Sequence, residues 1–385
     1  MTCQNNNNAF LQISEILFNE GMDGLSTAIT ILVNEAMIIE RTRHLNANPY
    51  ERNVDRHGYA NGFKDKNLKT RVGALELKIP QVRESNFYPS FLEKGLRSER
   101  ALTLSIAEMY VNGVSTRKVQ NIMEQLCGFD VTSSEVSRAA KLLDEELENW
   151  RKRPLGKYRY LFLDARYEKV RYEGRVIDLA ILIATGISEN GKREVLGVSV
   201  KLSEQEVHWR DFLQSLQTRG LHGIELIISD AHSGLKAAKR AIFPSIPWQR
   251  CQFHLQQNAQ NHIPKKSLKE QVAHDIRSIF NASDKVEAER ILKLMTQKYQ
   301  KDAPSLSEWM LDNLPEGFTV FTFPLNHQKK LRTSNIAERL NREIKRRTRT
   351  VGIFPNVASC ERLISAILVE TCDKWQIEDR YLDVS

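Results

Sequence analysis

Paired cysteines are missing from this chain. Its five cysteines, Cys3, Cys127, Cys251, Cys360 and Cys372, are odd in number and scattered, and no two form a C-x-x-C. That excludes a disulfide framework and fits a reducing, cytoplasmic setting. Long hydrophobic runs are missing too. The most apolar stretch, VIDLAILIATGI, is far too short to span a bilayer, and the polar start MTCQNNNNAF lacks the apolar centre of a secretory signal, so no membrane partner is expected. There is no internal repeat and no low-complexity segment beyond four consecutive asparagines. An acidic excess is absent: 56 Lys and Arg against 48 Asp and Glu leave a net charge of +8. Both a polyanionic partner and an ordinary solvated surface are compatible with that excess, so its distribution matters more. What is present is enough chain, 385 residues with 41% hydrophobic, for two or three domains with real cores.

Apolar spacing predicts two helices over residues 10–45, split by GMDG. Residues 46–97 change texture. LKTRVGALELKIP alternates as a hairpin about Gly73-Ala74, and Arg52 to Arg83 hold eight basic residues against Asp55, Asp65 and Glu76. This 1–97 segment is either a solvated β-rich module or one that contacts phosphates. Residues 98–151 read as three helices. STRKVQNIMEQL puts Val119, Ile122, Met123 and Leu126 on one face. Thr132 and Glu135 then have capping-box spacing at the head of a helix running through Trp150, whose stripe is Val136, Ala140, Leu143 and Leu147. The exposed start of that helix offers Ser134, Ser137, Arg138 and Lys141, which suits the second helix of a DNA-reading helix-turn-helix; a plain helical hairpin is the alternative.

After KRPLGKYR the texture is α/β. Three strand candidates form a meander, followed by helix, strand, helix and a short strand at WQRCQFH. The order β-β-β-α-β-α-β is that of a ribonuclease-H-like mixed sheet over 152–254. Residues 255–330 are helical and charged, an insertion, and 331–385 supply two last helices.

Asp164 ends the apolar strand YLFLD and Asp230 ends IELIISD. Ligand-handling residues gather at such strand ends, and in this topology the two strands are neighbours. A third acid sits in SNIAERLNREIKRRTR. With about 100° per helical residue, Ile336, Leu340 and Ile344 make one apolar stripe, and Glu338 falls nearly opposite it with Asn341, Arg342, Lys345 and Arg349. Packing does not explain Glu338 there. It is either a surface i,i+4 partner of Arg342 or a functional acid. Glu343 lies beside the stripe and reads as structural. Nine basic residues against two acids between Lys329 and Arg349 make this a phosphate-attracting segment. Three carboxylates suffice for two Mg²⁺ ions, with Mn²⁺ as substitute, because hard cations take oxygen ligands and keep several waters, and such ion pairs serve phosphoryl displacement.

FLDARYEKVR, ISDAHSGLKAA, WQRCQFH and SNIAERLNREIKRRTRTVGIFP closely resemble the Mutator-type transposases of bacterial insertion sequences, and GYANGFKDKNLKTRVGALELKIPQVR and GVSTRKVQNIMEQLCG resemble further segments of that family. The resemblance implies an Asp-Asp-Glu triad at Asp164, Asp230 and Glu338, binding the two metal ions. It implies a ribonuclease-H-like catalytic domain with an α-helical insertion, preceded by a helical and β-hairpin DNA-binding region. It implies a C-x-x-H element at Cys251 and His254, half of any zinc site, with a structural or DNA-handling role. The partners it implies are double-stranded DNA, as transposon ends with terminal inverted repeats and as target, and a second copy of the chain in the active complex. Arg339, Arg342, Lys345, Arg346 and Arg349 are the expected DNA contacts of the last domain, and Arg138 and Lys141 those of the N-terminal region.

Overall fold

The computed structural model describes residues 5–52, 54–92, 94 and 97–383; Cys3 and the start of the polar leader stretch lie outside the described residues. The chain divides into two compact units, Met1–Leu143 and Asp144–Ser385.

In the first unit α1 (Asn5–Glu20) and α2 (Leu25–Leu45) are separated by a single 3-10 turn at Gly21–Gly24, where the GMDG break was expected. Together, Asn8–Leu45 is long and apolar enough to cross a membrane by length and composition, a property that the sequence reading gave to no segment. Part of that apolarity is core. Met37 is fully buried against Leu75, Leu77 and Ile79, with Ile29 and Val33 packed beside it. Those three residues come from the hairpin of β1 (Tyr59–Thr70) and β2 (Gly73–Arg83). Leu68 faces Leu75 and Thr70 faces Gly73, so the turn residues are Arg71 and Val72 rather than Gly73-Ala74. Gly73 follows at φ +118°, a conformation that favours glycine. Several of the basic side chains of this module have internal partners: Lys69 pairs with Glu135 at 3.0 Å, Arg71 with Glu99 at 2.9 Å, Lys66 donates to Tyr88 at 2.9 Å and Arg83 to Asn61 at 2.6 Å.

α3 (Arg100–Val111), α4 (Thr116–Cys127) and α5 (Ser133–Ala140) enclose a small core of Leu102, Ile106, Val119, Met123, Val131 and Val136. Ser115 caps α4 by accepting from the Lys118 N–H, and the Thr132–Glu135 capping box forms. Two expectations change. Leu126 is 73% exposed instead of lying in the buried face of α4. The helix expected through Trp150 ends at Ala140, passes through a 3-10 turn at Lys141–Leu143, and restarts as α6 (Asp144–Lys152). The apolar stripe of the first half packs on α3 and α4, while Leu147 of the second half is buried in the other unit. Two cores claim the two halves, which is why continuous periodicity did not mean one continuous helix. Arg138 thus sits in the last turn of an eight-residue helix, and Lys141 beyond it; both are exposed.

The second unit is built on one mixed sheet. β3 (Tyr158–Tyr172), β4 (Arg175–Ser188) and β5 (Arg193–Lys201) form the antiparallel meander; after α7 (Glu206–Thr218), β6 (Leu226–Ser229) pairs parallel with β3; after α8 (Ser233–Ile242), β7 (Trp248–Arg250) pairs parallel with β6. The strand order is β5-β4-β3-β6-β7. One face of the sheet, with Leu161, Leu163, Leu182 and Leu196, buries Trp209, Phe212 and Leu213 of α7 and Leu235 of α8. The helices α9 (Gln252–Ala259), α10 (Lys269–Phe280), α11 (Lys285–Tyr299), α12 (Pro304–Asn313) and α13 (Leu325–Leu331) follow. α9 through α12 share a core of their own around Ile276, Phe280, Leu292, Leu306, Met310 and Phe318. α14 (Asn335–Val351) and α15 (Val357–Ile377) return to the sheet. Arg362 of α15 holds Asp144 of α6 through two hydrogen bonds of 2.5 and 2.9 Å. Cys127, Cys251, Cys360 and Cys372 are free thiols.

Candidate functional site

Parallel pairing brings the two aspartates level. Phe162 of β3 faces Ile228 of β6, and each aspartate lies two residues further on, Asp164 and Asp230. Neighbouring strands are about 4.8 Å apart, so the two carboxylates start from adjacent backbone positions. The carboxylate of Asp164 accepts from the Ala165 N–H at 2.9 Å and from Asn341 Nδ2 at 2.6 Å; that of Asp230 accepts from the Ala231 N–H at 2.7 Å. Burial pushes the Asp164 carboxyl up to about 7, and the like charges of Asp230 and Glu204 add to it against the Ala165 N–H and His254. Glu204 reaches this region from the loop between β5 and α7. A Cβ on Gly234 of α8 would stand 2.4 Å from the Glu204 carbonyl, so glycine permits that loop to lie so close.

α14 supplies the third acid. Its stripe is as expected: Ile336, Leu340 and Ile344 are buried. The face with Glu338 and Asn341 is not a free surface, however. It lies along β3. Asn341 bonds Asp164, Arg166 Nη1 donates to the Asn341 carbonyl at 2.6 Å, and Thr348 Oγ1 donates to Glu168 at 2.8 Å. Among the described residues no ion pair joins Glu338 to Arg342. Instead Glu338 is partly buried and its Oε1 is enclosed without a hydrogen-bond partner, as is Asn341 Oδ1. The outer face carries Arg339, Arg342, Lys345, Arg346 and Arg349, all exposed and lining one shallow groove. Glu343 holds Arg346 at 2.7 Å and Arg347 at 3.1 Å, the structural part expected of it.

Cys251 ties the elements together. Its N–H donates to the Ser229 carbonyl just before Asp230, and the next N–H, of Gln252, donates to the Arg332 carbonyl just before α14. Its Sγ accepts from both the N–H and the Oγ of Ser334, 3.3 Å each, and Ser334 precedes the first turn of α14. Against burial, which raises it, His254 and Ser334 hold the Cys251 thiol below its ordinary value. The neighbouring Cys251 in turn raises His254 to about 9 over the opposing effect of burial. Asp230 and Asp164 also act on His254. His254 thus stands near Asp164, Asp230 and Cys251, while Glu338 groups with Cys251 and His254. Arg138 and Lys141 belong to the first unit. Glu204 was missed by the sequence reading, since a lone acid in a loop carries no periodic signal.

Buried Arg347 locks α14 to α15 through Glu370, which also pairs with Lys374. Arg347 and then Lys374 hold the Glu370 carboxyl down from 4.5 to about 2, against its burial. A depressed acid stabilises the fold above its unfolded value and loses that contribution as pH falls toward its folded value. Glu370→Gln is expected to cost about 2 kcal/mol at pH 7 and almost nothing near pH 2. Urea unfolding at several pH values measures it; an equal cost at both ends of the range would show that the ion pair contributes nothing.

Comparison with known proteins gives a consistent result. The family model described as Transposase, Mutator family, matches residues 1–378. The chain is 55% identical over 369 residues to the transposase for insertion sequence element IS406 of Burkholderia multivorans, covering 95% of each. It is 41% identical to the transposase for element ISRM5 of Rhizobium meliloti, covering 100% of this chain and 96% of that one, and 39% identical to the transposase for IS256 in transposon Tn4001 of Staphylococcus aureus, covering 96% and 95%. Among solved structures, a simian T-cell lymphotropic virus intasome with a PP2A regulatory subunit matches at 14% identity over 53% of this chain and 64% of that chain, with a TM-score of 0.19, too low to bear on the fold.

Proposed function

The chain belongs to the Mutator family of transposases, and from that premise we propose that it cleaves the ends of an insertion sequence and joins them to target DNA with Asp164, Asp230 and Glu338. The observation that supports this reading is the docking of α14 on β3 through the Asn341–Asp164 hydrogen bond, one helical turn from Glu338, with Asp230 level with Asp164 on the neighbouring strand.

The residues suit two Mg²⁺ ions, or Mn²⁺. The donors are carboxylate oxygens, Glu338 Oε1 is enclosed without a partner, and Asp164 is an acid whose charge is disfavoured by burial and by its neighbours. Bound there, the metal would supply Lewis-acid stabilisation of the attacking and leaving oxygens of an in-line displacement. The protein's own part is positional. Asn341 and the Ala165 N–H orient the Asp164 carboxylate, the Ala231 N–H orients that of Asp230, and the buried stripe of Ile336, Leu340 and Ile344 anchors the helix that carries Glu338. Two exchanges follow. Water replaces the 3′ oxygen of a phosphodiester at the element's end and frees a 3′-OH. That hydroxyl then displaces the 3′ oxygen of a target phosphodiester, so one ester bond forms for each one broken.

The strand order β5-β4-β3-β6-β7 supports a ribonuclease-H-like core interrupted by the helical insertion. Arg339, Arg342, Lys345, Arg346 and Arg349 would meet the backbone phosphates of double-stranded DNA. The hairpin and the α4–α5 pair, with Arg138 and Lys141, would read the terminal inverted repeats. Two ends brought together require a homodimer in the active complex, within the cytoplasm where the DNA lies. In the test, purified protein is incubated with a labelled transposon end, a plasmid target and Mg²⁺, and the products are sequenced. Labelled 3′ ends covalently joined to plasmid are expected. Nicked ends that never join would reduce the protein to a nuclease, and uncut ends in both Mg²⁺ and Mn²⁺ would remove the reading altogether.

A further inference from the structure

Two residues beside Glu338, Cys251 and His254, are left over by that chemistry. Cys251, His254 and Glu338 offer a thiol sulfur, a ring nitrogen and a carboxylate oxygen that all lie within 4.8 Å of one another. Magnesium has no use for a sulfur ligand, so the cluster is not explained by a hard-ion pair. Nor is it a set of satisfied core groups. Cys251 is buried and His254 and Glu338 are half-buried, yet His254 Nδ1 and Glu338 Oε1 are enclosed atoms with no hydrogen-bond partner. Buried polar atoms without partners are uncommon and costly. Two residues that each carry such an atom, grouped with a buried sulfur, describe a place for a cation.

We propose that Cys251, His254 and Glu338 form a site for a thiophilic divalent cation, Zn²⁺, and that this ion withdraws Glu338 from the Asp164–Asp230 pair. Sulfur, imidazole nitrogen and carboxylate oxygen are the three ligand types zinc takes, at about 2.3, 2.0 and 2.1 Å. Tetrahedral bonds of those lengths separate ligand atoms by roughly 3.3–3.6 Å, so atoms within 4.8 Å of one another need only a small closure to meet one ion. The sulfur is already oriented by the N–H and Oγ of Ser334 at 3.3 Å each, the kind of outer support that fixes a ligand's direction. Three protein ligands leave the fourth position for water. A pair of residues from one side of the sheet, Cys251 and His254, thereby gains the missing partner from α14. Because a single carboxylate serves both sites, zinc at this site opposes magnesium at the other. This second half rests on the function proposed above; the binding half does not.

The experiment uses the full chain without DNA, with Co²⁺ as a coloured stand-in for Zn²⁺. A sulfur-to-cobalt charge-transfer absorption is expected, reaching saturation at one ion per chain and erased by an equal amount of Zn²⁺. Cys251→Ser should abolish the absorption, Glu338→Gln should weaken Co²⁺ binding at least tenfold, and Asp164→Asn should retain both, with circular dichroism confirming that each variant is folded. No charge-transfer absorption, or an undiminished one in Cys251→Ser, overturns the site. For the shared carboxylate, Zn²⁺ added at saturating Mg²⁺ should lower cleavage more than tenfold in the unaltered protein and should leave the rate ratio with and without Zn²⁺ near one in Cys251→Ser. An equal ratio in both proteins overturns the competition. If the cobalt site forms but the protein never cleaves DNA, the proposed function falls and the metal site stands.

Discussion

Asp164→Asn is expected to lower end cleavage by roughly 10³-fold, equivalent to about 4 kcal/mol of barrier, while end binding changes little. The replacement keeps the size of the side chain and its capacity to accept from the Ala165 N–H. It removes the charge that would hold a metal ion and turns the oxygen that accepts from Asn341 into a donor, which the unpartnered Asn341 Oδ1 meets if that amide flips. It also removes a charge the fold resists, since burial and the nearby Asp230 and Glu204 push this carboxyl up to about 7. An acid raised in this way destabilises the folded state once pH exceeds its unfolded value, so the neutral variant should melt no lower than the parent at pH 8 without metal. Loss of activity with no loss of stability is the signature of a functional site rather than a structural one. Cleavage of a labelled end and a thermal melt, run side by side, decide it. Activity within tenfold of the parent, or a clear fall in melting temperature, would move Asp164 out of the proposed role.

The second large effect is on stability. Ile344→Ala should cost about 3 kcal/mol, as deletion of a fully buried branched side chain leaves a cavity that close-packed neighbours fill poorly. Arg349→Ala, on the exposed outer face of the same helix, should stay within about 0.5 kcal/mol. Denaturant unfolding of the full chain compares the two. The contrast matters because Ile344 belongs to the buried stripe that anchors α14, the helix carrying Glu338 and Asn341. Equal small effects would mean that α14 is held by its polar rungs alone, and that the packing account of the site is wrong.

Helices, strands and their order were largely readable because local periodicity reports them. The capping box at Thr132 and Glu135 and the β-β-β-α-β-α-β order are cases where pattern and structure coincide. The break after Ala140 was not readable. No glycine or proline marks it; it comes from two cores competing for one amphipathic segment. Leu126 shows the reverse, an apolar residue at the right phase that nothing covers.

The sequence by itself determined that Asp230 stands at the end of its strand and Glu338 off the apolar stripe of a basic helix; Asp164, expected at a strand end, instead sits in the middle of β3, which stays paired with β4 as far as Tyr172 because the antiparallel hairpin continues past the apolar run. Spacing along the chain sets such facts, since backbone geometry repeats every two or 3.6 residues. It also supplied the family, through motifs whose order is local. Only the tertiary structure decided what each acid meets. An apolar stripe names one side of α14 and leaves its polar flanks equivalent, and it took the Asn341–Asp164 bond to turn Glu338 inward and the Cys251–Ser334 contacts to bring a thiol and an imidazole to it. Contacts between residues dozens of positions apart depend on how whole elements pack, and no repeat in the sequence encodes that.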